Sequence, residues 1–396
     1  MHISSETRLF IREHSTDDVR TLALQSKKYP DVDMPVAITQ IAGRQIAAEK
    51  IPSWKKIEDI RYPKHLSLEQ CSSEITAYYK ASLLQGDSLT DLTGGFGVDC
   101  SFLAERFKSV TYVERQEELC GIAAHNFPIL GLNHINVKNE DGIAHLKAMS
   151  PVDCIFLDPA RRNEHGGKAV AISDCEPDVA ELEGLLLNKA KQVMVKLSPM
   201  LDLSLALREL QQTQEVHIIS VNNECKELLL ILGQTVPQEI IIHCVNLSTK
   251  GEQEGQHFTF TREQEQCSQC NYTDSLDEYL YEPNASLLKA GAFKSLSSAF
   301  PIRKLHPNSH LYTSDILIDN FPGRIFRIVN QCSFNKKESK ECLADLKKAN
   351  ITIRNFPATV AELRKRIKLS EGGDTYLFAS TLNNEQKVLI RCEKIK

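Results

Sequence analysis

The stretch Asp91-Leu-Thr-Gly-Gly-Phe-Gly-Val-Asp99 constrains the fold of this chain more than any other. An alternating strand pattern precedes it. One helix length and a second strand pattern, 109–113, follow, and that strand ends on Glu114. Glycines at such a turn let the backbone approach a ligand that a Cβ would obstruct, and an acid twenty-odd residues later can accept hydrogen bonds from a ribose diol. Strand, glycine turn, helix, strand and acid together form the nucleotide half-site of a doubly wound sheet, and the expected ligand contains an adenosine.

The details of the turn select among adenosine ligands. A dinucleotide site wants Gly-x-Gly-x-x-Gly, but from Gly95 the third position is Cys100. Asp91 at the strand end would repel a pyrophosphate, whereas it suits a ligand carrying a sulfonium and an ammonium. Asp-x-Thr-x-Gly-x-Gly resembles motif I of class I S-adenosylmethionine (SAM) methyltransferases, with Thr93 where glycine is commoner. The cofactor implied is SAM. Asp91, Thr93, Gly94, Gly95 and Gly97 are expected beneath its amino-acid end and ribose, and Glu114 on the ribose hydroxyls. After the third strand come Asp141 and Gly142. Asp141 has two readings, acceptor for the adenine amino group or helix N-cap.

Strand patterns recur at 88–92, 109–113, 135–138, 154–157, 192–196, 215–221 and 228–232, the first five separated by helical or polar stretches, as a parallel sheet demands. The last two are joined by a short connection that suits an antiparallel hairpin at the sheet edge. The fold class expected is α/β, a seven-stranded class I methyltransferase (Rossmann-like) sheet. A helical N-terminal region covers 1–84, with helices predicted near 17–24, 35–50 and 68–84. The sheet domain covers 85–236 and a linking segment 237–323. From 324 to 396 the pattern reads β-α-β-α-β-β, a compact α+β domain.

Ligands bind at the carboxyl ends of such strands, so the residues just after each strand carry the chemistry. The fourth strand empties into Asp158-Pro159-Ala160-Arg161-Arg162. Amino-methylating enzymes carry a related Asn/Asp-Pro-Pro-aromatic tetrad there. Asp158 and Pro159 keep its acceptor pair, while Ala160 and Arg161 replace the second proline and the stacking aromatic. Arg161 and Arg162 read either as a bidentate phosphate grip or as a salt-bridged surface turn. Lys196 ends the fifth strand and neutralises a substrate or Asp158, or simply pairs with another acid. Cys225 reads as a buried thiol or as the nucleophile of pyrimidine methylation, the thiol being favoured. Cys267 and Cys270 supply half the ligands of a structural zinc, and no metal is expected.

The net charge of −5 conceals an asymmetry. From Arg324 onward 16 Lys and Arg face 8 Asp and Glu, a net of +8, whereas residues 1–323 carry −13. Arg364, Lys365, Arg366 and Lys368 form the densest basic block, a solvated helix face or a phosphate-binding surface. No stretch approaches the ~20 apolar residues of a membrane helix, and a cytoplasmic protein is expected.

Further runs carry a wider resemblance: Tyr62-Pro63, Leu66 to Lys80, Leu157-Asp-Pro-Ala-Arg161, Lys196-Leu-Ser-Pro199, Glu224-Cys-Lys-Glu-Leu, Tyr281-Glu-Pro-Asn-Ala, His310-Leu-Tyr-Thr and Phe321-Pro-Gly-Arg324. Their order resembles a bacterial class I SAM-dependent methyltransferase-like family with a helical N-terminal region, a ferredoxin-like segment and a C-terminal THUMP-like domain. The resemblance implies a SAM-dependent enzyme and, through the THUMP-like tail, an RNA partner such as a structured tRNA or rRNA. The expected activity is RNA base methylation. The alternatives are methylation of a protein or small molecule, or RNA binding without catalysis.

Overall fold

The computed structural model describes residues 3–161, 171–249 and 255–395. By contact the chain forms two units, Met1–Gln214 with Leu228–Pro237, and Glu215–Glu227 with Gln238–Lys396.

The first unit begins with helices Ser5–Glu13, Val19–Leu24, Met34–Lys50, Pro52–Lys55, His65–Gln70 and Glu74–Leu83. Short side chains start several of them: Ser4, Asp18 and Asp33 each accept a backbone N–H of the first turn. The predicted helix over 68–84 is two helices. The chain straightens at Cys71–Ser73 because Ser72 is drawn into a buried charge network described below.

Strands β1 (Gly86–Asp91), β2 (Phe107–Glu114), β3 (Ile135–Asn139), β4 (Val152–Leu157), β5 (Ala190–Leu197) and β7 (Glu224–Gly233) lie in the order β7-β5-β4-β1-β2-β3. All run parallel except β7, which pairs antiparallel with β5. The intervening β6 (Thr213–Val221) leads into β7 through Asn222 and Asn223, whose φ values of 51° and 66° are those of a two-residue hairpin turn. This is the class I order, with its one reversed strand. The N-terminal helices pack on the glycine turn through an apolar cluster that includes Trp54, Tyr62, Leu68, Phe96 and Phe102. The rings of Trp54 and Phe96 meet edge to face at 5.2 Å.

In the second unit β8 (Ile241–Leu247) pairs parallel with β6, and β9 (Gln256–Thr261) antiparallel with β8. The predicted hairpin is therefore not at the sheet edge, because two further strands extend the sheet beyond β6. A second sheet holds β10 (Tyr279–Pro283), β11 (Arg303–Lys304), β12 (Tyr312–Ser314), β13 (Gly323–Ser333), β14 (Asn350–Ile353), β15 (Thr375–Thr381) and β16 (Lys387–Lys394) in the order β11-β12-β10-β13-β16-β15-β14. From β13 onward the helices Lys336–Cys342 and Val360–Ile367 alternate with the strands, so β-α-β-α-β-β recurs. Beyond the first of them Ser370 donates its N–H to the Lys347 carbonyl and accepts that of Ala349. No described helix is long and apolar enough to cross a membrane.

Candidate active site

The turn after β1 is built around two carboxylates. Asp91, 1% exposed, accepts the Thr93 N–H at 3.0 Å. Glu114, at the end of β2, accepts the N–H of Gly95 at 2.9 Å and that of Gln116 at 2.8 Å, tying the glycine turn to the neighbouring strand. Gly95 and Gly97 have φ of +55° and +85°, where L side chains are strained. A Cβ on Gly94 would lie 2.1 Å from the Tyr112 ring. One on Gly142 would lie 2.3 Å from the Leu92 carbonyl oxygen, so this glycine lets the loop after β3 approach the turn. Asp141 caps the following helix by accepting the Ala144 N–H on Oδ1 at 2.9 Å, the N-cap of its two readings.

Thr93 stands where a glycine is commoner because its hydroxyl has a partner: it accepts the backbone N–H of Asp158 at 2.6 Å and joins the turns after β1 and β4. The Asp158 carboxylate is partly exposed and meets Lys196 Nζ at 2.5 Å. Lys196 also lies 3.2 Å from Asp99 Oδ2, and Lys80 Nζ lies 3.1 Å from Asp99 Oδ1. The Ser72 hydroxyl donates to Asp99 at 2.7 Å and accepts from both lysines, at 2.9 and 3.1 Å. Five side chains from four segments thus form one network, Asp158–Lys196–Asp99–Lys80 with Ser72 at its centre. Lys80 is fully buried. Burial pushes the Asp99 carboxyl up, but the two lysines and Ser72 more than offset this and hold it at about 2. Burial raises Asp158 despite the pull of Lys196. Burial also raises Asp91 well above the carboxylate range, reinforced by Asp99, Asp158 and Glu114.

Lys196 therefore combines two of its sequence readings, touching Asp158 and a second acid. Ser72, Lys80 and Asp99 were not among the expected site residues. The available signal was Lys80 itself, which shares the buried face of its helix with Thr76, Ala77 and Ala81. Arg162 lies outside the described residues. Of Arg161 only the backbone is described, paired with Cys175.

In the second unit the basic helix Val360–Ile367 buries Leu363 and opens on a Thr359/Glu362 capping box. Lys365, Arg366 and Lys368 are exposed, and Arg364 is half-buried near Glu371. The Arg366 guanidinium sits 4.0 Å over the Phe334 ring. Burial raises the Cys225 thiol, which disfavours a nucleophilic thiolate. Cys267 is exposed, and both it and Cys270 are free thiols. Glu215, His217 and His243 also gather here, with Glu215 Oε2 3.3 Å from His217 Nε2 and 3.6 Å from His243 Nε2. The two imidazoles stack face to face at 4.4 Å.

Residues 37–163 match the protein-L-isoaspartate(D-aspartate) O-methyltransferase family, residues 279–322 a ferredoxin-like domain and residues 323–394 a THUMP domain-like family. The solved structure of a protein described as a methyltransferase from Porphyromonas gingivalis W83 is 35% identical. It covers 100% of both chains with a TM-score of 0.88. An rRNA methylase from Streptococcus thermophilus overlaps 40% of this chain and 93% of its own, at 16% identity and a TM-score of 0.30. A Streptococcus mutans protein, solved in complex with SAH, overlaps 40% and 96%, at 12% and 0.30. No curated protein matches the chain.

Proposed function

The chain belongs to the bacterial class I methyltransferase-like family with a ferredoxin-like and a THUMP-like domain, and from this we propose that it methylates RNA with SAM as donor. The observation that carries the reading is the acidic turn Asp91–Gly97, joined through Thr93 to a rim carboxylate, Asp158, that a buried lysine holds.

The residues present fit SAM. A carboxylate offers about four lone-pair directions, and Glu114 uses two on backbone N–H groups, leaving two for a ribose diol. Asp91 is a buried acid with no cation among the partners described for it, so a ligand with an ammonium and a sulfonium compensates it. SAM, when bound, supplies an electrophilic methyl group. This chain's task is to align an acceptor and take its proton. Asp158 accepts the hydrogen of the methyl acceptor, Pro159 stiffens the turn that carries it, and Lys196 keeps the carboxylate ionised and aimed. Asp141, whose Oδ1 caps the helix, keeps its Oδ2 for the adenine side of the loop that Gly142 admits.

Glu114→Ala should weaken SAM binding by about 1–3 kcal/mol in calorimetry, through loss of a charged acceptor and of a tie on the turn. Unchanged affinity would remove Glu114 from the ribose site. Proton release provides a separate check. A carboxyl raised by burial is stabilised as its anion by a cationic ligand. SAM binding should therefore release protons below the raised pKa of Asp91, and affinity should increase with pH until that pKa is passed. Titrations in two buffers of different ionisation enthalpy read this directly, and Asp91→Asn should abolish the release.

The RNA part rests on the basic THUMP-like region. Replacing Arg364, Lys365 and Lys368 by Gln should lower the slope of log affinity against log salt by up to roughly 0.7–0.9 for each phosphate that is no longer neutralised, while SAM affinity stays the same. Arg366 is left in place because it packs on Phe334. The reading as a whole is tested by nucleoside mass spectrometry of RNA from deletion and wild-type cells, followed by methylation of the deletion-strain RNA by purified protein. If no modified nucleoside disappears and no methyl group is incorporated, the RNA assignment fails.

A further inference from the structure

Within the first unit a cavity of about 280 Å³ opens among helix Ser5–Glu13, helix Met34–Lys50 and residues 58–62. Arg8, Arg12, Arg44 and Arg61 line it together with Tyr62 and His125. The lining acids are Glu58 and Asp59, so the side chains carry a surplus of two positive charges in a region, residues 1–323, whose net charge is −13. The acids barely neutralise the arginines. The one arginine–carboxylate pair among the described lining residues is Arg8–Asp59 at 3.9 Å, with both side chains exposed. Arg44 donates to the Glu58 backbone carbonyl rather than to its carboxylate, and His125 Nε2 lies 2.9 Å from the Asp59 carbonyl.

The wall that presents these groups is fixed. Asn126, buried, accepts the Arg61 N–H and donates to the Arg61 carbonyl, both at 2.9 Å. Gln40, also buried, does the same for Tyr62 at 2.9 Å. Two consecutive backbone units are thus clamped by amide side chains, in the way a binding loop is pre-organised. Tyr62 is 1% exposed, and its hydroxyl has no hydrogen-bond partner among the described residues. Burial pushes that hydroxyl up to about 12 while Arg44 pulls it back. Burial, and then repulsion from Arg8, lower the Arg61 pKa against the weaker opposing pull of Asp59, so like charges are held together with incomplete compensation.

We propose that this cavity is a binding site for a nucleotide phosphate monoester. A guanidinium pairs bidentately with phosphate oxygens, and several of them from different elements can enclose a tetrahedral dianion. The surplus of two charges matches the −1.5 to −2 charge of a monoester better than the single charge of an internal phosphodiester. The volume is small for a whole drug-sized ligand, which suits a phosphate with part of its ribose. On the RNA reading above, the monoester is the 5′ end of the substrate. A free mononucleotide has the same chemistry.

Calorimetry on the full chain with 5′-UMP, uridine and inorganic phosphate tests the site without adenine entering the SAM pocket. UMP and phosphate should bind and uridine should not. Arg44→Gln with Arg61→Gln should weaken UMP at least tenfold while SAM affinity and the melting curve hold. Arg12→Gln, on an exposed helix position, should give a smaller loss should the double variant fold poorly. An RNA oligomer with and without a 5′-phosphate separates the sources. A preference for the phosphorylated end that disappears in the variants assigns the RNA terminus, and UMP binding without that preference assigns a free nucleotide. The phosphate arm can be read even if no RNA is methylated. Absence of UMP and phosphate binding at millimolar concentration, or equal binding by wild type and variants, overturns the proposal.

Discussion

Asp158→Asn should lose about 10²–10⁴ of methyl-transfer turnover while SAM affinity stays within a few-fold. The carboxylate stands at the end of β4 and is partly exposed, with its backbone N–H held by Thr93 and one oxygen on Lys196. The amide variant keeps the shape of the side chain and its capacity to accept one hydrogen bond, but it cannot take up a proton. Burial already raises this carboxyl, as suits a group that receives a proton from an acceptor nucleophile. Lys196→Met should lower turnover through the loss of the cation that offsets this burial, and its pH profile should move to higher pH. Full activity in Asp158→Asn would show that the acceptor loses its proton by another route. An equal loss of SAM binding would instead make Asp158 part of the cofactor site.

Asp99→Ala should destabilise the first unit by about 3–5 kcal/mol, because it strands the buried Lys80 ammonium and strips Lys196 of one of two anions. For a unit of this size such a loss lowers the melting temperature by roughly 6–20 °C. Replacing the pair together, Lys80→Met with Asp99→Leu, should recover much of it, since a packed apolar pair avoids the desolvation cost of two ions. A shift of only a degree or two in Asp99→Ala would show that the network is solvated. The pH dependence has a definite sign. The folded pKa of about 2 lies below the unfolded value of about 3.9. The Asp99 contribution is therefore complete above pH 4 and lost as pH falls toward 2.

The wider family matches acquire their physical reason from the second unit. Glu282, 1% exposed, accepts Arg324 through one carboxylate oxygen and Arg354 Nη2 at 2.9 Å through the other. A Cβ on Gly323 would collide with the Glu282 carbonyl. The runs around 281–285 and 321–324 face each other across β10 and β13, which gives their pattern a packing reason. Truncation at 324 would remove β13 from the middle of a continuous sheet and strand a buried acid. Charge neutralisation on the helix Val360–Ile367 is for that reason the cleaner test of RNA binding.

Local physics made the sheet half legible. Apolar runs of strand length, a glycine turn needing positive φ, and acids at strand ends all leave their mark within a few residues, so β1 to β5, the turn and the placement of Glu114 and Asp158 follow from the chain alone. The N-cap reading of Asp141 and the C-terminal β-α-β-α-β-β order were legible for the same reason. The break at Ser72 was not, because the network that draws it in joins Asp99, 27 residues away, and Lys196, 124 residues away. Lys80 on a helix reads as a solvent-facing residue, since lysines are almost never buried without a partner, and that partner is visible only after the helix docks on the turn. The sequence also could not say that β6 would be covered by β8 and β9, or that four arginines from three separate segments would line one cavity. Burial and charge pairing depend on which distant residues share a low-dielectric interior, and only the tertiary structure decides that.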